Sequence, residues 1–438
     1  MTNPQTTPTV NRKIQILRLL GVAIIAGILG AWAVLGFHAL LQFLESQLYG
    51  QNNGLVAASA RLPFVQRLMM PALGGVLAGL ILRYLLGKNK KGADYMEAIT
   101  AGSDVPVRVS LVKSLSSAAT VVSGGSIGRE GSMVQLAALT GGLMGKLPWL
   151  TEDERRFAVA CGTAAGLAGA YNTPIAGALF VAEIVLGGVS LNSFAPLLLS
   201  AAVSDLMVRH ITKVGPIYAS RPGNLESWSE LLLVVLVGLL AGVAGPLLIN
   251  ALNRSRDSIA AMRFPLWFKM GMAGLGVGAL SLLRPEVWGN GYSVINSLLH
   301  QSWVWQDVLL ILALKVIATL LTSGSGAVGG VFTPTLFIGA ALGTLVGGGV
   351  HAIFPSESVS AFTLVGMSAL LSAVTHAPLT AVVMVSEMTS GYDLVPALVM
   401  GSLSAYYISS IIQPRSIYAH SIPDNHPTQT LPLSRFEQ

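Results

Sequence analysis

Ser123-Gly124-Gly125-Ser126-Ile127-Gly128-Arg129-Glu130-Gly131-Ser132 sets an Arg and a Glu between two long apolar runs, Val107–Val122 and Met133–Met144. An ionisable pair at such a place is costly in a membrane and marks a functional site by default. The glycines let backbone N–H groups approach a ligand. The run from Ser132 onward has the character of a helix, so the loop ends at a helix N-terminus. Free N–H groups and the positive end of the dipole make such a terminus an anion site. The expected chemistry is therefore binding of a small anion, with the Glu130 carboxylate competing for its place. Ser323–Pro334 is a second Gly-rich break, and the run Thr335–Ile353 follows it.

Gly124-Gly125-Ser126-Ile127-Gly128 also matches G-x-S-x-G, the pattern of a serine hydrolase. That pattern needs a preceding strand and a histidine base. Here the preceding run is helical in type, and only His376 lies in a related break. We treat the intramembrane hydrolase as a remote alternative. A carrier for an organic solute would need a roomier polar site.

The elements that must position these residues are membrane helices. The chain has 438 residues, 53% hydrophobic and 11% charged, with mean hydropathy +0.66. Soluble domains carry about 25% charged residues, so a polytopic membrane protein is expected. The net charge of +6 is then a matter of basic cytoplasmic loops. With no aromatic-interleaved basic patch, nucleic acid is not an expected partner; the lipid bilayer is. Cys161 is the single cysteine, which excludes an intrachain disulfide. The seven histidines show no metal spacing, and neither a metal nor a cofactor is expected.

Residues 1–18 are a polar N-terminus in which Arg12, Lys13 and Arg18 precede the first span, Leu19–Leu44. Those charges place the N-terminus in the cytoplasm. Residues 45–67 are expected to be a loop, Leu68–Leu86 a second span, and Gly92–Glu97 a short turn. Glu152–Arg156 forms a charged break. Phe157–Ala170 and Pro174–Leu186 are each too short to cross a ~30 Å core and meet at Tyr171-Asn172-Thr173-Pro174. A first membrane repeat covers 19–212, a linker 213–230, a second repeat 231–414 and a cytoplasmic tail 415–438. Within the second repeat, Arg254–Lys269 is expected to be a basic loop. Phe362–Thr375 and Pro378–Met388 are again short.

The halves match in register. Gly162, Pro174 and Glu183 recur as Gly366, Pro378 and Glu387, each 204 residues on (366−162, 378−174, 387−183). Gly92-Ala93-Asp94-Tyr95 echoes Gly289-Asn290-Gly291-Tyr292, and Lys113 before Ser123 is matched by Lys315 before Ser323. Paired broken helices in repeated halves mark a transporter fold with its site between them. Whether the repeats are parallel or inverted stays open at this level.

Gly128-Arg129-Glu130-Gly131, Gly329-Gly330-Val331-Phe332-Thr333-Pro334 and Tyr418 resemble the three motifs of the ClC chloride channels and transporters. The resemblance covers about Leu19 to Ile422 and is strongest to the bacterial ClcB-type branch. It implies an all-α fold of two inverted repeats with many short, broken or re-entrant helices. It implies a homodimer with one pore per subunit in the bacterial inner membrane, and chloride held by helix N-termini. Glu130 would be the gate. Arg129, Gly131, Val331 and Phe332 would offer backbone N–H groups, and Tyr418 its phenol.

Two positions depart from the family pattern. Alanine, Ala93, stands where the first motif usually supplies a serine hydroxyl. Ile184 stands at the usual inner proton-carrying glutamate, with Glu183 one residue earlier as a substitute proton path. The expected mode is passive chloride conduction, with an electrical-shunt role in acid; proton-coupled exchange is the alternative. Glu387 is expected to be structural, His376 a turn residue, and Lys113 and Lys315 to snorkel near helix ends. Asp94 and Tyr95 are given no role.

Overall fold

The structure, a computed structural model, describes residues 9–50, 54–87, 94–148, 150–218, 228–353 and 358–419. Gly92 and Ala93, the basic residues Lys88, Lys90 and Lys91, and the tail beyond 419 lie outside the described residues.

The first half runs through α1 (Thr9–Tyr49), α2 (Leu55–Arg61), α3 (Phe64–Leu86), α4 (Tyr95–Ala101), α5 (Val107–Val122), α6 (Glu130–Met144), α7 (Glu152–Tyr171), α8 (Pro174–Phe180), a π-helical turn Val181–Val185 and α9 (Leu191–Thr212). The second half runs through α10 (Trp228–Ala261), α11 (Leu266–Leu283), α12 (Tyr292–His300), α13 (Trp305–Gly324), α14 (Phe332–Ile353), α15 (Val359–Thr375), α16 (Pro378–Thr389) and α17 (Val395–Ile412). Among the described residues eight helices are long and apolar enough to cross a membrane. Most of the others are too short; α7 has the length but opens on five charged residues. α6 has 15 residues, roughly 22 Å at 1.5 Å per residue, against the ~30 Å hydrocarbon core.

Glycine lets the long helices touch. A Cβ on Gly75, Gly274 or Gly278 would collide with backbone of the facing helix, so α3 and α11 pack with their main chains in contact. Close approach of this kind drives helix association in lipid, where there is no hydrophobic effect between helices.

Each half breaks the same way. α7 ends at Tyr171, Asn172 is left-handed at φ 55°, and α8 opens on Pro174. α15 ends at Thr375, His376 is left-handed at φ 58°, and α16 opens on Pro378. His376 is thus a turn residue. The halves then cap each other. Glu183 accepts the N–H groups of Leu379 (3.2 Å) and Thr380 (2.8 Å) at the start of α16. Glu387 accepts those of Ile175 (3.0 Å) and Ala176 (2.9 Å) at the start of α8. A reciprocal exchange between equivalent residues is the pattern a twofold relation produces, here between the two halves of one chain.

Several expectations are corrected. Residues 45–67 are mostly helical, because α1 continues to Tyr49 and α2 and α3 follow at once. Glu152–Arg156 is the first turn of α7 rather than a break. Thr151 and Glu154 form a capping box there, and three acids favour a helix N-terminus. Arg254–Ala261 completes α10 instead of beginning a loop. Of Gly92–Glu97, expected as a turn, Tyr95 onward belongs to α4, with the Asp94 side chain accepting the Tyr95 N–H at 2.7 Å. Lys315 does not snorkel: it lies inside α13, fully buried.

Candidate functional site

α6 and α14 begin at equivalent points of the repeat, Glu130 and Phe332. Their entry loops are joined. Gly128 N–H donates to Gly330 O at 2.7 Å and Gly330 N–H to Gly128 O at 3.0 Å. This pairing holds two helix N-termini against one space, and each start leaves N–H groups with no acceptor inside its own helix. Backbone away from a helix is tolerated at membrane depth only where protein or a cavity satisfies it.

The cavity measures about 450 Å³. Glu130, Gly131, Val331, Phe332 and Tyr418 all line it. An aromatic series forms part of its wall: Tyr171 to Phe332 at 5.3 Å between ring centroids, Phe332 to Phe180 at 6.4 Å, and Phe180 to Tyr418 at 5.7 Å. The Tyr171 hydroxyl is held by the Thr333 hydroxyl at 2.9 Å. Arg129 caps α6 beside the cavity and is not part of its lining. Its guanidinium lies within electrostatic reach of His38 and Glu45 on α1 and of Tyr292.

Glu130 is buried at 4% exposure. Its Oε1 accepts the Asn290 amide at 2.9 Å. Its Oε2 is buried with no hydrogen-bond partner among the described residues. Two cavity hydroxyls, Ser114 Oγ and Ser132 Oγ, share that condition. The bond from Gln135 to Ser110 (2.9 Å) ties α6 to α5. Ser114 lies four residues on from Ser110, and Ser132 three residues before Gln135. Buried polar groups without partners are rare and call for a water, an ion or another ligand. Lys113 and Arg256 bring positive charge to the same walls, and Asp94 brings a second carboxylate.

Ile184 is buried in apolar core. Both Glu183 oxygens are engaged by α16, Oε2 also taking the Thr380 hydroxyl at 2.7 Å. Ser126 is buried, and its hydroxyl shares a hydrogen bond with Thr319 at 3.1 Å. His376 lies at a different break and meets Ser409 at 3.4 Å. Four site residues escape the sequence reading: Asn290, Asp94, Ser114 and Ser132. A signal existed for the first, since Asn290 stands where the repeat echoes Ala93. Ser132 follows the Gly128–Gly131 motif directly.

A helical membrane protein whose duplicated, broken helices point their N-termini into one cavity is, by architecture, an ion channel or secondary transporter. The family model described as voltage gated chloride channel matches residues 74–410, and the chain belongs to that family, the ClC chloride channels and transporters. It is 47% identical over 417 residues to a ClcB-like chloride channel protein of Ralstonia nicotianae, covering 93% of this chain and 97% of that one. It is 39% identical over 411 residues to the voltage-gated ClC-type chloride channel ClcB of Escherichia coli, covering 92% and 98%. Among solved structures, a slow cyanobacterial Cl⁻/H⁺ antiporter superposes with TM-score 0.82 at 22% identity, covering 92% and 96%. A CLC-type fluoride/proton antiporter superposes with TM-score 0.75 at 23% identity, covering 93% and 98%. These two share the fold.

Proposed function

We propose that the protein conducts chloride passively and that Glu130 is its gate. The deprotonated carboxylate takes the outer anion position and leaves on protonation. One observation carries this: Glu130, first residue of α6, buries its carboxylate in the cavity that the start of α14 and Tyr418 also line. A dehydrated anion needs several donors without a fixed cation that would hold it too long. Backbone N–H groups of Arg129, Gly131, Val331 and Phe332 and the Tyr418 hydroxyl are the donors assigned to it. The passive mode is supported by apolar Ile184 and by the engagement of Glu183 on α16. It accords with the names of the two relatives above. Purified protein in liposomes should release chloride once a potassium ionophore removes the opposing voltage. Efflux no faster than from empty liposomes would refute the proposal.

Proton-coupled exchange is the second reading, and Asp94 favours it. Its carboxylate lines the same cavity as Glu130 and can stand in for the absent inner glutamate. Asn caps a helix as well as Asp does, so Asp94→Asn removes the acid and keeps α4 capped. Loss of uphill proton movement in that variant would establish exchange through Asp94. No proton movement in the unaltered protein would leave the passive mode.

We also place the protein in the bacterial inner membrane as a homodimer, with repeats at 19–212 and 231–414 and both termini in the cytoplasm. The basic residues Arg12, Lys13 and Arg18 before the first span support that orientation. The shunt role predicts poorer survival in acid without the gene. Light scattering in detergent tests the dimer.

A further inference from the structure

Asn290 lies between Gly289 (φ 67°) and Gly291 (φ 94°), left-handed conformations that glycine takes without a Cβ penalty. Its amide is oriented from both ends. Oδ1 accepts the Tyr292 N–H at 3.2 Å, which leaves Nδ2 to donate to Glu130 Oε1 at 2.9 Å. The loop is pinned on three sides. Lys315 Nζ donates to Val287 O at 3.1 Å and to Gly289 O at 2.6 Å. Gly289 N–H reaches Gly124 O at 3.4 Å. Gly291 lies so close to the Phe337 ring that no Cβ would fit.

Lys315 is costly where it stands. It is fully buried in a membrane helix, and intramembrane ammonium groups are rare and functional. Among the described residues no carboxylate lies within 4 Å of it. Its charge is spent on two carbonyls of the Asn290 loop, with the Phe337 ring 5.4 Å away.

We infer that Asn290 is a latch, a positioning residue that holds the deprotonated Glu130 carboxylate in the anion path, and that Lys315 fixes the latch loop. The inference rests on Glu130 being the gate. The latch belongs to the second half of the chain and the gate to the first, so opening is set across the repeat interface.

The physical reason is the donor. A hydrogen bond to the charged form of a carboxyl group favours that form. The other groups facing Glu130 are Arg129 in its own loop, Tyr171 on α7, Tyr218, and Tyr292 on α12. Lys113 and Asp94 line the same cavity. Among the described residues only Asn290 makes a hydrogen bond to the carboxylate.

The test is chloride efflux from liposomes against pH, for the unaltered protein, Asn290→Ala, Asn290→Asp, Glu130→Ala and Asn290→Ala/Glu130→Ala. Losing a donor to a charged group should move the acid midpoint of efflux up by about one pH unit and raise neutral-pH efflux about tenfold. Asn290→Asp keeps the shape and sets a carboxylate against Glu130. It should open the path at least as far as Asn290→Ala; an unaltered pH profile would reduce Asn290 to a spacer. The double variant should match Glu130→Ala alone, because a latch acts only through the gate. A full Asn290 effect on top of Glu130→Ala overturns the inference. If Glu130→Ala leaves efflux unchanged, the gate itself falls. If Glu130→Ala changes efflux while both Asn290 variants are silent, only the latch falls.

Discussion

Gly128 and Gly330 exchange both of their backbone hydrogen bonds, at 2.7 and 3.0 Å, although 202 residues separate them (330−128). The exchange brings the starts of α6 and α14 to one cavity. It tolerates no side chain at Gly128, where a Cβ would meet Glu130 Oε2 and stand 2.9 Å from Gly330 O. Gly128→Ala should therefore push the carboxylate from its place and part the two loops. Chloride binding by titration calorimetry should weaken, and acid activation of efflux should be lost. Unchanged binding and pH profile would mean the pairing does not shape the site.

The hydroxyls of Ser114 and Ser132 should contact the anion, since both are buried in the cavity wall with no protein partner. A hydrogen bond to a charged group such as the anion is worth about 1.5 kcal/mol or more. Ser114→Ala/Ser132→Ala, which removes two, should weaken chloride binding by roughly a hundredfold, with thermal stability equal or higher. Equal affinity with raised stability would make the two hydroxyls mere burial costs.

Glu183 and Glu387 should behave alike. Each accepts two backbone N–H groups of the other half. Glu183→Gln and Glu387→Gln should each destabilise the protein by about 1.5–3 kcal/mol, the scale of a hydrogen bond to a charged group. Thermal unfolding in detergent reads this. The pH profile of efflux should stay as it was. A Glu183→Gln variant with full stability and altered proton movement would restore the proton-path role.

The sequence alone made the repeat legible, and with it the breaks at Pro174 and Pro378. Glycine and proline act through their own backbones, and a constant offset survives whatever packs around them. Membrane spans were legible for a similar reason, because lipid demands long apolar runs. Helix limits at the membrane surface were less so. Polar residues there are compatible with helix, as in α1, α2 and the end of α10. Partners distant in the chain were not legible. Nothing near Glu130 announces Asn290, 160 residues on (290−130). Lys315 resembles a snorkelling lysine until Val287 and Gly289 carbonyls are seen to surround its ammonium. Asp94 carried no pattern of its own; only the cavity places it with Tyr418.

Chloride efflux from liposomes, compared between the unaltered protein and Glu130→Gln at pH 4.5 and pH 7.5, tests the gate most directly. Glutamine imitates the protonated acid. The variant should pass chloride at pH 7.5 as fast as at pH 4.5, while the unaltered protein passes markedly less at pH 7.5. A variant that keeps the pH dependence of the unaltered protein would show that Glu130 does not close the path.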